Sequence, residues 1–192
     1  MNESFLIRMA RQWVIAEYPY NSYHLLQSLV WIDRISPDSR EAARLATLTH
    51  DMERAFPGPD QPHAPTLIDP EYNKAHSERS ARIVGAWLRE NGGDCALVYE
   101  VEDLVRAHEV GGWPEANMVQ AADSLSLLEV NVGLFLEMAR SGRRPIEQVR
   151  EKFAWSYERI QVDAARQLAE PLLEQAYSKL AALERELAGA SA

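Results

Sequence analysis

The sequence predicts an all-α fold. Two observations carry this. Apolar residues return every three or four positions along nearly the whole chain, and no segment shows convincing period-two alternation. Proline, glycine and short polar residues then cut the chain into pieces of ordinary helical length. The chain has no internal repeat and no low-complexity segment.

Phe5, Leu6, Met9, Trp13 and Val14 define a first helix that runs to about Glu17 and closes at Pro19. Asn21 or Ser22 can cap a second, carrying His24, Leu25, Leu29 and Ile32. Ser36-Pro37 predicts the start of a third, with serine as N-cap and proline at the first helical position, where a missing N–H costs nothing. It carries Leu45, Ala46, His50 and Asp51 and ends before Pro57. Residues 57–69 form a proline-rich loop, long enough for a lid. Asp69-Pro70-Glu71 opens a fourth helix with His76 and Trp87, which stops at Asn91-Gly92-Gly93. A fifth covers about Cys95 to His108, and Gly111-Gly112 breaks it. Pro114 opens a long sixth to about Ser141-Gly142, and Pro145 a seventh. The last, about Val162 to Leu187, should kink or split at Pro171.

At 192 residues, one domain (1–192) is expected. Residues from about 20 to 130 carry the chemistry-bearing side chains. Those from about 145 to 192 read as a C-terminal helical appendage whose leucine stripe suits packing or a homodimer. Acidic residues exceed basic ones, 29 to 20, for a net charge of −9. That field disfavours nucleic-acid polymers but permits a local basic pocket for a small phosphorylated substrate. Cys95 is the only cysteine, so no intrachain disulfide forms. The N-terminal residues do not resemble a signal peptide, and no window reaches the roughly 20 apolar residues of a membrane span. A cytoplasmic protein without a membrane partner is expected.

His50-Asp51 is the pair on which function turns. Imidazole and carboxylate are ligands for Fe, Mn, Co, Ni or Zn, and a carboxylate can bridge two ions. Adjacent helical residues sit about 100° apart around the axis, so the pair can serve two neighbouring ions with Asp51 between them. His24, His76, His108 and Asp123 supply further candidate ligands from separate helices, as metal centres in bundles are built.

The order His24, His50-Asp51, His76, His108, Asp123 resembles the HD-domain superfamily of metal-dependent phosphohydrolases, over about residues 20–130. His76-Ser77-Glu78-Arg79-Ser80-Ala81, Arg106-Ala107-His108-Glu109 and Ala121-Ala122-Asp123-Ser124-Leu125 are similar to the later motifs of its dinuclear branch. The resemblance implies two divalent metal ions: His24, His50, Asp51 and Asp123 around one, His76 and His108 around the other, with Asp51 bridging. It also implies hydrolysis of a small phosphate ester, plausibly of a nucleotide or dinucleotide.

Around such a centre, Arg54, Lys74 and Arg79 are candidate phosphate clamps. Glu53 is a candidate to orient water or protonate a leaving group. Trp113, just past His108, is a candidate to stack on a base, and His63 could belong to a lid. The other tryptophans read as core or interface. Two further functions stay open: an HD-fold di-iron oxygenase, with nearly the same ligands, and a non-catalytic metal-binding or sensing module.

Overall fold

A computed structural model describes residues 3–190, and the fold is all-α, with no strand among the described residues. The helices are α1 (Phe5–Glu17), α2 (Ser22–Ile35), α3 (Glu41–Thr49), α4 (Pro70–Glu90), α5 (Cys95–Ala107), α6 (Pro114–Ser126), α7 (Val132–Arg140), α8 (Ile146–Glu158) and α9 (Asp163–Ala190). A 3-10 turn, Met52–Ala55, follows α3, and a π-helical turn, Leu127–Asn131, joins α6 to α7.

Helix α3 sits in the middle, packed against α1, α2, α5 and α6. Seven of its nine residues are buried, mostly small or aliphatic ones such as Ala42, Leu45 and Leu48. Helix α4 lies along α5, and α8 and α9 close the other side against α6. Between α4 and α5, Gly85 leaves room for the Glu102 side chain, whose carboxylate an added Cβ would meet at 1.8 Å. Trp13 stacks on Trp87 at 4.7 Å between ring centroids and ties α1 to α4.

Local signals set most boundaries. Asp69 caps α4 by accepting from the Tyr72 N–H at 2.7 Å, with Pro70 in the first turn. Asp94 caps α5 the same way, accepting from Leu97 N–H at 2.9 Å. Gly111 and Gly112 hold positive φ at the turn into α6.

Three expectations are corrected. Ser36-Pro37 does not open α3: Ser36 ends α2, its N–H donating to the Ile32 carbonyl, and Pro37 lies in a turn closed by Ser39 N–H to the Ser36 carbonyl. Proline's fixed φ suits the second position of such a turn as well as a first helical turn. The sixth helix is not uniform, because the π-helical turn interrupts it. Helix α9 continues through Pro171 as one helix, so the chain does not split there.

The Pro114–Arg140 run is also long and apolar enough, by composition alone, to cross a membrane, although 72% of its apolar window is buried inside the fold. It is a core helix here. The α9 leucine stripe packs within the chain, with Leu180 and Leu183 buried.

Candidate metal centre

The end of α3 builds the floor of the site. His50 and Asp51 follow the last residue of α3, so the backbone turns between them and the two side chains diverge. His24 comes from α2, His76 from α4, His108 from the end of α5 and Asp123 from the last turn of α6. All six are buried. Their ligand atoms form three overlapping groups, each within 4.8 Å: His24, His50 and Asp51; His50, His108 and Asp123; Asp51, His76 and His108. These buried histidines and aspartates can hold a metal ion.

The hydrogen bonds behind the imidazoles fix their tautomers. His50 Nδ1 donates to the Thr47 carbonyl at 2.9 Å and His108 Nδ1 to the Val105 carbonyl at 2.7 Å. His76 Nδ1 donates to the Glu53 carboxylate at 3.0 Å. His24 Nδ1 faces Ser126 Oγ at 2.9 Å, and that hydroxyl gives its only proton to the His24 carbonyl, so Nδ1 must be the donor. In their neutral form all four rings therefore turn an Nε2 lone pair inward, the arrangement of metal-ligating histidines.

Those lone pairs meet carboxylate oxygens. His24 Nε2 lies 3.1 Å and His50 Nε2 3.3 Å from Asp123 Oδ1, and His76 Nε2 lies 2.9 Å from Asp51 Oδ1. Nε2 of His50, His76 and His108 has no hydrogen-bond partner among the described residues. Lone pairs facing anionic oxygens at this range need a cation or a proton between them. The donor set fits a divalent metal.

The electrostatics are those of a buried charge network. Burial pushes the Asp123 carboxyl upward, but the Arg159 guanidinium and the His50 and His24 rings outweigh it and hold the group well below the carboxylate range. Asp51 is likewise pushed up by burial and held well down by Arg54 and His76. Burial lowers His50 too, yet Asp123 reverses that and raises it to about 9. His108, with burial dominant and Glu109 only partly opposing, falls to about 4.

A cavity of about 400 Å³ opens above this floor. His24, Asp51, Glu109 and Asp123 line it, and the more deeply buried His50, His76 and His108 lie beneath. Tyr18, Tyr20, Tyr72, Leu134 and Phe135 form much of its wall. Ala64 and Leu67 bring the proline-rich loop to its edge, where Arg144 donates to the Ala64 and Pro65 carbonyls at 2.8 and 2.9 Å. His63 itself is exposed and does not line the cavity.

The flanking candidates divide. Arg54 lines the cavity, its Nε 3.2 Å from Asp51 Oδ2. Glu53 does not: it lies behind His76, holding that ring's Nδ1, and is only 1% exposed. Arg79 is spent on Glu53, on the Phe56 carbonyl and on Asp60, and it too lies outside the cavity. It positions Glu53 rather than facing a ligand. Lys74 is exposed on the outer face of α4. Trp113 is 41% exposed and lines a separate surface depression with Arg40 and Glu100. Neither lines the cavity. For Glu53 the cause is the end of α3: beyond Thr49 the chain turns into a 3-10 helix, so shared-face spacing counted from His50 no longer places it.

Two C-terminal residues, Lys152 on α8 and Arg159 just after its end, complete the site. Arg159 pairs with both Asp123 and Glu109 and donates through Nε to Ser124 Oγ at 2.8 Å. Lys152, 8% exposed, faces the cavity, and its ammonium sits over the Trp155 ring at 4.3 Å. Burial lowers its pKa to about 8. Lys152 shares the buried face of α8 with Val149, Phe153 and Ser156, and a lysine on such a face is the signal that could have marked it in the sequence.

No protein-family model, curated protein or solved structure matches this chain significantly.

Proposed function

We propose that this protein is a metal-dependent phosphohydrolase of the HD-domain kind, holding two divalent cations and acting on a small phosphate ester. The observation that carries the reading is the inward set of four imidazole lone pairs against two carboxylates, on the floor of a cavity with cationic groups in its lining. His24, His50, Asp51 and Asp123 would hold one ion and His76 and His108 the other, with Asp51 shared. Such a cation pair, when bound, lowers the pKa of water and neutralises phosphate oxygens.

The chain's own residues supply the rest. Glu53 and the Thr47 and Val105 carbonyls keep the rings of His76, His50 and His108 in the ligating tautomer. Arg159 holds Asp123 and Glu109 as anions. Lys152 is protonated at neutral pH and faces the cavity, so it can neutralise a phosphate oxygen and release a proton to a departing alkoxide. The tyrosines and aliphatic residues exclude water from the organic part of the ester.

The test is metal analysis of the purified protein with an anaerobic screen of phosphomonoesters and nucleotides. Phosphate release supported by Mn, Co or Ni is expected. A reaction that needs iron and consumes dioxygen would replace this reading with the oxygenase one. Full metal occupancy without turnover would leave a binding module.

A further inference from the structure

The cavity does not end at the metal floor. Asp123, Leu127, Asn131, Leu134 and Met138 all line it, from α6 through the π-helical turn into α7. At 1.5 Å per residue, that lining spans roughly 22 Å. Just past its outer end, in the turn before α8, stand Arg143 and Arg144, which also line the cavity. The wall between the two ends is largely aliphatic and aromatic.

The cations along this path differ from most others in the protein. Arg40, Arg44, Arg54, Arg79, Arg106, Arg140, Arg150 and Arg159 each pair with a carboxylate. Among the described residues Arg143, Arg144 and Lys152 do not. Arg143 reaches only the Ser141 hydroxyl, at 3.0 Å, and Arg144 only backbone carbonyls. Lys152 is more than nine-tenths buried and faces the cavity, and its ammonium, set over the Trp155 ring, forms no hydrogen bond or ion pair among the described residues. Neutral acceptors leave the guanidinium charges uncompensated in a protein of net charge −9. Lys152 lies six residues into α8 from Ile146, roughly 9 Å at helical rise, and Arg144 stands two residues before that helix begins.

We infer that the substrate carries a second anionic group, separated from the reacting phosphate by an apolar segment. The phosphate sits over the metal floor beside Lys152, the apolar segment lies along Leu127, Leu134 and Phe135, and the far anion engages Arg143 and Arg144. This rests on the phosphate reading above. It narrows the substrate from any small phosphate ester to a doubly headed, elongated one.

Binding tests it without turnover. A length series of alkane-α,ω-bisphosphonates, ω-carboxyalkylphosphonates and matched alkylmonophosphonates is titrated calorimetrically into Mn-loaded protein. At the spanning length, the two-headed ligands should bind about tenfold or more tighter than the one-headed ligand. The carboxylate arm shows whether the far group must be a phosphate. The ratio should fall toward one in Arg143→Ala, a residue that does not touch the proline-rich loop. In Arg143→Glu the preference should shift toward an ω-aminoalkylphosphonate. Equal binding of one- and two-headed ligands at every length overturns the inference alone. Equal weakening of both in Arg143→Ala does the same. Absence of any phosphonate binding removes it together with the phosphate reading. A clear two-headed preference in a protein that hydrolyses no ester keeps the inference and removes only the hydrolase.

Discussion

Arg159, just beyond the end of α8, and Asp123, in the last turn of α6, are 36 residues apart in sequence and in direct charge contact. The guanidinium takes Asp123 Oδ2, which leaves Oδ1 facing His24 and His50. One C-terminal residue thus orients a carboxylate of the buried cluster from behind.

Removing that guanidinium strands two buried carboxylates, Asp123 and Glu109. Arg159→Met should cost about 3–5 kcal/mol in metal-free protein, the usual penalty for breaking a buried pair. Saturating Mn should recover part of the loss, because cations then compensate Asp123. Urea denaturation with and without metal measures both. A metal-free loss below about 1 kcal/mol would mean that water already solvates these carboxylates.

Glu53 makes a different prediction. It accepts from His76 Nδ1 and is itself held by Arg79 at 3.1 Å. Glu53→Gln keeps the shape but removes the charge that favours Nδ1–H. Affinity at the ion nearest His76 should fall about 10–100-fold, while the ion on the His24 side changes little. Two-site calorimetric titration separates them. Equal loss at both sites would mean that the variant disturbs the whole floor.

The helices were legible where local chemistry sets them: Asp69-Pro70 opens α4 and Gly111-Gly112 separates α5 from α6. The buried His/Asp cluster was legible because its residues can act as metal ligands whatever their surroundings. Arg159 and Lys152 were not, since a cation becomes part of a site only through tertiary placement. Glu53 and Arg79 misled for a related reason. Closeness to a cluster residue in sequence suggested a place in the cavity, but the 3-10 turn puts Glu53 behind His76, and Arg79, on α4, is engaged by Glu53 and Asp60. No pattern of apolar residues announces the π-helical turn at Leu127–Asn131, a feature frequent at functional sites.

Lys152 should act against stability. Its pKa falls from 10.5 to about 8, with burial as the main cause, so the folded state disfavours its charge. Below pH 8 the full cost is present. As pH rises toward 10.5 the folded protein sheds the proton before the unfolded chain does, and the cost disappears. Lys152→Met should therefore stabilise metal-free protein by about 3 kcal/mol at pH 7, at 1.36 kcal/mol per pKa unit. The gain should shrink steadily above pH 8. Denaturation curves of both proteins across that range test it; a gain that does not change with pH would assign the effect to packing.

His50 couples metal binding to protons. Its pKa is raised from 6.5 to about 9, the Asp123 charge outweighing burial. A group raised on folding stabilises fully below its unfolded value, and that contribution is lost as pH climbs through the folded one. Metal-free protein should thus weaken from about pH 6.5 upward, most clearly below pH 8, before Lys152 begins to titrate. Metal must displace the same proton, because an imidazolium has no lone pair to offer. Apparent metal affinity should accordingly rise over that window, by up to about tenfold per pH unit for each proton expelled. His108, lowered to about 4, is already neutral and adds nothing to the slope. Calorimetry at pH 7 in buffers of different ionisation enthalpy counts the protons released. Release that is present at pH 7 and gone above pH 9 is the expected result, and none at pH 7 would place the neutral form of His50 in the metal-free protein.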